Sequence, residues 1–197
     1  MLPRDGRRTV LAKGSSSSGH GTSVEAAERE EHFRGIFQSE YRHVLAYALR
    51  RTGDLAEAQD AVAEVFTVAW RRFADAPADE ATRPWLFAIA RRTIANQRRS
   101  QRRRLAVRER VRLQPSTTRG TEEILDDRQG LRAVLTALAR LSPDEQEVLR
   151  LAVWENLSHR EIGIVLGCSE NAAAIRLHRA RRRLSEEFLK DDVSTGH

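Results

Sequence analysis

The sequence has little cysteine and lysine, and it has no long apolar run. Its 197 residues include one cysteine, Cys168, which excludes an intrachain disulfide and a zinc site built from several cysteines. No apolar stretch approaches the roughly 20 residues that cross a bilayer, so we expect no membrane insertion. The apolar patch at residues 9–12 is too short for a secretory signal. These absences predict a protein of the reducing cytoplasm.

The sequence also lacks the residue patterns of common catalytic sites. Its six histidines are scattered, no HExxH motif is present, and no glycine-rich loop carries a phosphate-binding lysine. Cys168 has no activating base near it in the sequence, so we expect a small packed residue rather than a nucleophile. We therefore predict no enzyme activity, no catalytic residue, no metal site and no cofactor.

What the sequence does have is arginine. Lysine and arginine number 34 against 28 acidic residues, a net charge of +6, and all the basic residues except Lys13 and Lys190 are arginine. The planar guanidinium group suits phosphate oxygens and guanine edges. A high-GC coding bias explains the excess of arginine over lysine equally well, so the distribution of charge has to decide.

The pattern of apolar residues predicts an all-α chain in two small helical domains. Apolar residues recur at helical spacing, separated by capping and turn signals, and no strand pattern appears. The predicted ranges are a disordered Ser/Gly-rich tail at 1–23, a first domain at 24–111, a flexible linker at 112–127, a second domain at 128–189 and a C-terminal tail at 190–197.

The first domain is predicted to be a three-helix bundle. Its helices run from about Val24 to Arg51, from Leu55 to about Phe73, and from Pro84 into a run of arginines, with a loop at 74–83. We expect Trp70 and Trp85 to pack in the core. The predicted buried stripe of the second helix consists of Ala58, Val62, Val65, Phe66 and Ala69.

The second domain carries the pattern of a helix-turn-helix. Capping boxes at 142–145 and 158–161 start two helices, Gly167 makes a turn, and Ser169 caps the last helix. Such a motif presents its last helix to the major groove of DNA. At 100° per residue, Ala173, Leu177, Ala180 and Leu184 face the core. The outward candidates for DNA contact are Ser169, Asn171, Ala174, Ile175, Arg176, His178, Arg179, Arg182 and Arg183. An ordinary helical hairpin with a solvated basic face is the alternative.

Two further surfaces have opposite charge. Between Arg83 and Arg110 there are ten arginines and one acid, Glu109, a pattern typical of phosphate binding, with a solvated helix face as the alternative. On the preceding helix Glu57, Asp60 and Glu64 share one face. This acidic ridge would repel the phosphates of DNA, so it favours a basic protein partner. The alternative is a solvated helix surface whose acids lie near the helix N-terminus.

Four segments, at 58–71, 85–90, 138–149 and 176–181, resemble bacterial RNA polymerase sigma factors of the extracytoplasmic-function group. The resemblance covers roughly residues 30–188. It implies that the first domain is sigma region 2 and the second domain is sigma region 4. It also implies core RNA polymerase (β′ clamp and β flap) and promoter DNA, duplex and single-stranded, as partners. An anti-sigma factor is a partner that the family often has and that nothing else in this sequence requires.

The resemblance assigns roles to particular positions. Region 4 would read the minus-35 element with the recognition helix. The implied contacts with the β′ clamp are Glu57, Asp60, Ala63, Glu64 and Phe66. The implied contacts with the unwound minus-10 element are Arg83, Trp85, Arg91, Arg92, Asn96, Arg98, Arg99, Arg102 and Arg103.

Three departures from the family pattern keep the promoter sequence open. Ala63 replaces a common glutamine, Arg92 replaces a frequent asparagine, and residues 172–175 replace a Thr-Val-Lys-Ser sequence. We expect a sigma factor that recognises promoters and opens DNA by binding single-stranded bases, with the linker holding its lobes apart. The alternatives are a stand-alone helix-turn-helix regulator and a protein-binding adaptor such as an antagonist of sigma factors.

Overall fold

The structure is a computed structural model that describes residues 19–77, 79–109 and 128–195. Every regular element in these ranges is helical, which confirms the predicted all-α class. The helices are α1 (Gly19–Thr52), α2 (Leu55–Arg71), α3 (Thr82–Glu109), α4 (Arg128–Ala139), α5 (Pro143–Val153), α6 (His159–Leu166) and α7 (Glu170–Thr195), with single 3-10 turns at Phe73–Asp75 and Asp79–Ala81.

Helix ends differ from the sequence prediction at three places. Helix α1 begins at Gly19 rather than near Val24, and α7 continues to Thr195 instead of ending near Leu189. Helix α3 begins at Thr82, so Pro84 lies within its first turn rather than at its first residue. The predicted linker at 112–127, and the predicted N-terminal tail as far as residue 18, lie outside the described residues.

The chain divides between Ser39 and Glu40 into two compact units. In the N-terminal unit, the described part of α1 is mostly exposed from Glu25 onward. Arg34 forms ion pairs with Glu30 at 2.8 Å and with Glu31 at 2.7 Å. Pairs at this spacing support an exposed helix by a few tenths of a kcal/mol.

The first lobe, defined as the described residues from Glu40 to Glu109, has a core built on the amphipathic helix α2. The Asp54 carboxylate caps this helix by accepting a hydrogen bond from the Glu57 N–H at 2.8 Å. All five residues of the predicted stripe are buried, and α2 packs on α3. The prediction for Trp70 is wrong, because its side chain is 38% exposed and stacks beside Phe73 with ring centroids 6.2 Å apart. Trp85 is half-buried.

The second lobe, defined as α4 to α7, is a helix-turn-helix with supporting helices. Both predicted capping boxes are present, Ser142 with Glu145 and Ser158 with Glu161. Gly167 ends α6 in the left-handed conformation, with φ at +67°. This residue lets the chain turn directly into α7.

The two lobes contact each other, which differs from the expectation that the linker holds them apart. Helix α3 of the first lobe packs against α6 of the second lobe. The acidic ridge is not part of this contact, because Glu57, Asp60 and Glu64 are all exposed.

Candidate functional site

The outer face of α7 is the first candidate surface. Ala173 and Ala180 are fully buried and Leu177 is 2% exposed, so the predicted inward face packs on the rest of the lobe. Ser169 accepts a hydrogen bond from the Ala172 N–H at 3.2 Å, as an N-cap does. The remaining outward candidates are exposed except the half-buried Ala174: Asn171, Ile175, Arg176, His178, Arg179, Arg182 and Arg183. An exposed isoleucine among polar and basic groups matches the mixed contacts of a DNA-reading helix.

Intrahelical ion pairs hold two of these arginines in place. Arg182 lies 3.3 Å from Glu186, and Arg183 lies 3.3 Å from Glu187. Both arginines stay more than half exposed. Their guanidinium groups are therefore positioned along the helix while they remain accessible to a phosphate or a base edge.

The arginines of α3 form the second candidate surface. Arg92, Asn96, Arg98, Arg99, Arg102 and Arg103 are exposed and Arg91 is half-buried. Arg83 is the exception, since its guanidinium group makes two hydrogen bonds to the Glu40 carboxylate, at 2.7 and 3.1 Å. These hydrogen bonds raise the pKa of Arg83, and they already neutralise its charge within the first lobe.

The acidic ridge on α2 is the third candidate surface. Gln101 donates a hydrogen bond to Glu57 at 3.0 Å, and Gln97 donates one to Glu64 at 3.2 Å. Neutral glutamines orient these carboxylates without cancelling their charge. Asp60 and Ala63 are exposed on the same helix. The ridge is therefore negative and accessible, as a surface for a basic protein partner has to be.

Phe66 does not share this surface. Its side chain is 5% exposed, and its ring lies 6.4 Å from the ring of Tyr41 in a stacked arrangement. The implied contact between Phe66 and the β′ clamp therefore conflicts with its burial in the core. The burial of Phe66 indicates that this side chain stabilises the core of the first lobe, whereas Ala63 and Glu64 on the same helix are exposed.

Sequence reasoning missed a buried polar network that joins the two lobes. The Arg51 guanidinium group donates to the Glu147 carboxylate at 3.0 Å and to Glu155 at 3.0 Å. The Tyr47 hydroxyl also donates to Glu147, at 3.0 Å. Arg51 and Glu155 keep only 4% and 3% of their side chains exposed. Arg50 adds an ion pair to Glu155 at the edge of the network.

Burial sets the protonation of this network. Loss of solvent, and then the charge of Glu147, raise the pKa of the Tyr47 phenol far above its usual range, so the hydroxyl stays a donor. Burial alone would lower the pKa of Arg51, but Tyr47 and Glu147 outweigh it and raise that pKa. The Arg51 guanidinium carbon also lies 3.4 Å from the centroid of the Tyr47 ring, and that ring stacks on Phe87 at 4.6 Å.

Several residues of the α3 surface face α5 across a cleft. Arg91, Arg92, Asn96, Arg98 and Arg99 line one wall. Pro143, Asp144, Gln146, Glu147 and Arg150 line the wall from α5. The other four predicted minus-10 residues do not line this cleft: Arg83, Trp85, Arg102 and Arg103.

The described ranges contain neither a metal-binding cluster nor a membrane-spanning helix. Within 19–77, 79–109 and 128–195, no cluster of His, Cys, Asp and Glu side chains could hold a metal ion. In the same part of the chain, no helix has the length and apolar character needed to cross a bilayer.

Comparison with protein families identifies both lobes. The family model "Sigma-70 region 2" matches residues 36–104, and the model "Sigma-70, region 4" matches residues 131–184. Together the two ranges cover more than half of the chain, and region 2 precedes region 4.

Individual proteins agree with the family models. The chain is 31% identical over 161 residues to the ECF RNA polymerase sigma factor SigL of Mycobacterium tuberculosis, covering 81% of this chain and 90% of SigL. It is 31% identical over 194 residues to SigC of the same species, covering 94% of each chain.

Two solved structures share the fold. The sigma factor RpoE in complex with the anti-sigma factor NepR, from Bartonella quintana, aligns with a TM-score of 0.58 at 24% identity, covering 81% of this chain and 98% of that one. CnrH in complex with the cytosolic domain of CnrY aligns with a TM-score of 0.55 at 25% identity, covering 86% of this chain and 96% of CnrH.

Proposed function

Because this chain belongs to the extracytoplasmic-function group of the sigma-70 family, we propose that it directs core RNA polymerase to promoters and assists DNA opening. The observation that carries this proposal is the separation of surfaces by charge. The acidic ridge on α2 is exposed, while arginines cover α3 and the outer face of α7. One surface suits a protein partner and the other two suit nucleic acid, so the chain can hold polymerase and promoter together.

The ridge is the proposed contact with core polymerase. Asp60 and Glu64 stand at the positions where the family binds the β′ clamp, and both are exposed. Complementary charge across such a surface sets orientation and association rate. RpoE was solved with the anti-sigma factor NepR. We extend the same class of partner to this chain, because an antagonist that covers these surfaces would block both polymerase and promoter.

The arginine surfaces are the proposed contacts with DNA. The outer face of α7 would lie in the major groove of the minus-35 element, where Asn and Arg side chains read base edges. The arginines of α3 would bind the phosphates of the minus-10 region. Binding to single-stranded bases that exist only after melting would favour the open promoter, without catalysis by the protein. A protein with these partners would act in the cytoplasm, which we propose as its location.

Promoter binding in this proposal requires the lobes to separate. Arg91 is half-buried, and Arg92 and Asn96 are exposed to solvent but line the cleft between α3 and α5, so a DNA strand that bound all three would meet α5. The contact between lobes therefore defines a closed arrangement. Engagement of core polymerase and promoter has to open it before the minus-10 contacts form.

Transcription in vitro with purified core polymerase tests the proposal. The full chain should support promoter-dependent initiation, and the Asp60→Arg/Glu64→Arg variant should reduce core binding roughly tenfold or more, because repulsion replaces attraction at the ridge. Core affinity is measured by fluorescence anisotropy of the labelled protein. Duplex binding to the minus-35 element, measured separately, should stay unchanged.

The matched control reverses two exposed acids elsewhere on the surface, Glu25→Arg/Glu28→Arg, and should leave core affinity unchanged. Equal loss in both variants would mean that net charge, rather than the ridge, governs binding. Tight duplex binding with no initiation would favour a stand-alone helix-turn-helix regulator over the proposed sigma factor.

A further inference from the structure

The cleft between α3 and α5 has the size of a small-molecule site. Its volume is about 800 Å³, within the range of roughly 300–1,000 Å³ found for ligand pockets. Its walls come from both lobes, with α1 and α3 on one side and α5 on the other. The network around Arg51 and Glu147 fixes these walls relative to each other, so the cleft exists only in the closed arrangement.

Positive charge in this cleft exceeds negative charge by a wide margin. Seven arginines line it, and only two carboxylates do, Asp144 and Glu147. Arg50 and Arg51 are satisfied by Glu147 and Glu155, and Arg91 lies 3.4 Å from Asp144. Four lining arginines have no carboxylate within ion-pair distance among the described residues: Arg92, Arg98, Arg99 and Arg150.

Arg150 differs from the other three because part of its guanidinium group is buried. It donates one hydrogen bond to Gln146 at 2.9 Å, but its Nε atom is buried and finds no acceptor among the described residues. Burial, together with the charges of Arg51 and Arg98, lowers the pKa of Arg150. Arg150 is half-buried and lines the cleft, so an anion bound there would offset a guanidinium charge that no carboxylate within ion-pair distance neutralises.

We propose that the cleft binds a small anion that carries several phosphate groups and that bridges the arginines of α3 to Arg150 of α5. Guanidinium groups bind phosphate oxygens through paired hydrogen bonds, and several of them match an anion of charge three or more. The lining includes no aromatic ring, and its apolar members are Ile94, Ala95 and Pro143. The cleft is therefore suited to phosphate groups rather than to a nucleobase.

This site goes beyond the proposed promoter function and does not depend on it. Because the anion contacts both walls, it binds the closed arrangement and stabilises it by mass action. It also occupies the arginines that the minus-10 element would need. Phosphate-rich anions would accordingly hold the protein in the form that promoters cannot enter.

Isothermal titration calorimetry with tripolyphosphate tests the site on the full chain. We expect saturable binding at one site, and a thermal unfolding midpoint that rises with ligand concentration. Arg150→Gln alone, and Arg92→Gln/Arg99→Gln together, should each weaken binding roughly tenfold or more. The matched control, Arg71→Gln/Arg181→Gln, removes two exposed arginines outside the cleft and should bind like the wild type.

Three outcomes would overturn the proposal. The first is non-saturable binding that sodium sulfate at equal ionic strength reproduces. The second is an equal loss in the control and cleft variants, which would mean general attraction to a basic surface. The third is binding of a short single-stranded oligonucleotide in the cleft with no binding of tripolyphosphate. Circular dichroism shows whether each variant is folded. If Arg150→Gln fails to fold, Arg92→Gln/Arg99→Gln still tests the proposal, because both of its substitutions are at exposed side chains.

Discussion

At the scale of single residues, two glycines shape the turn of the helix-turn-helix for different reasons. Gly167 adopts a left-handed backbone that side-chain-bearing residues rarely take. Gly163 has an ordinary helical backbone, but a Cβ atom there would lie 2.7 Å from the Cys168 carbonyl oxygen. The Cys168 N–H donates to the Gly163 carbonyl at 2.9 Å, which holds the two segments together. The turn needs one glycine for conformation and the other for space.

Gly163→Ala should destabilise the chain by about 1–3 kcal/mol, because the new methyl group meets backbone atoms that cannot rotate away. Urea unfolding followed by circular dichroism measures the change. The matched control is Gly35→Ala, since Gly35 is an exposed helical residue with nothing within 4 Å of the added Cβ. It should stabilise the helix by about 0.5–1 kcal/mol. Shifts of the same sign in both variants would contradict this explanation.

At the scale of elements, the capping box of α5 is a local device with a pH dependence. The Glu145 carboxylate accepts hydrogen bonds from the Ser142 hydroxyl at 2.7 Å and from the Ser142 N–H at 2.9 Å. These bonds lower the pKa of Glu145 below its usual range. A carboxylate whose pKa is depressed on folding stabilises the fold at neutral pH, and that contribution is lost as pH falls through the folded-state pKa.

Ser142→Ala should cost about 1 kcal/mol at neutral pH, because α5 loses its N-cap. Acidification protonates Glu145 and weakens the box in the wild type, so the difference between the two proteins should shrink at low pH. Urea midpoints of both proteins, measured at neutral and at acidic pH, give this difference. A gap that stays constant across the titration would show that the Glu145 carboxylate does not contribute.

Elements of this kind could be predicted from the sequence because their determinants are local. The buried stripe of α2 follows from helical periodicity, and so does the inward face of α7, where Ala173 and Leu177 are buried. Both capping boxes follow from residues three positions apart. The exposure of Trp70 could not be predicted in this way. Helical periodicity shows on which face of the helix a side chain lies, but it does not show whether another element packs over that side chain.

At the scale of the whole molecule, the contact between lobes could not be predicted, because its partners lie far apart in the chain. Arg51 and Glu147 are separated by 96 residues, and Tyr47 and Glu147 by 100. Glu147 follows the capping residues of α5, and nothing in its neighbourhood indicates a buried acid. The charge pattern of the sequence predicts the candidate surfaces. Only the tertiary structure shows that the second lobe packs against part of α3.

Glu147→Ala should open the molecule. Removing one partner of a buried ion pair costs about 3–5 kcal/mol when the other charge stays buried, and separation of the lobes relieves that cost by hydrating Arg51. Small-angle X-ray scattering should give a larger radius of gyration, with helix content unchanged by circular dichroism.

The matched control is Asp144→Ala on the same helix. Its ion pair with Arg91 is exposed, since the Asp144 side chain is 91% accessible, so its loss should cost at most about 1 kcal/mol and leave the radius of gyration unchanged. If Glu147→Ala stays as compact as the wild type, the buried network is not what holds the lobes together.

The chain order of this network has a consequence for biosynthesis. Tyr47 and Arg51 leave the ribosome about a hundred residues before Glu147 and Glu155, and N-terminal domains generally fold first during translation. The nascent first lobe therefore passes through a period in which its arginine helix has no cover, close to the ribosomal RNA and the messenger. Completion of α5 and α6 ends that period, because Glu147 and Glu155 then pair with Arg51 and the second lobe packs against part of α3.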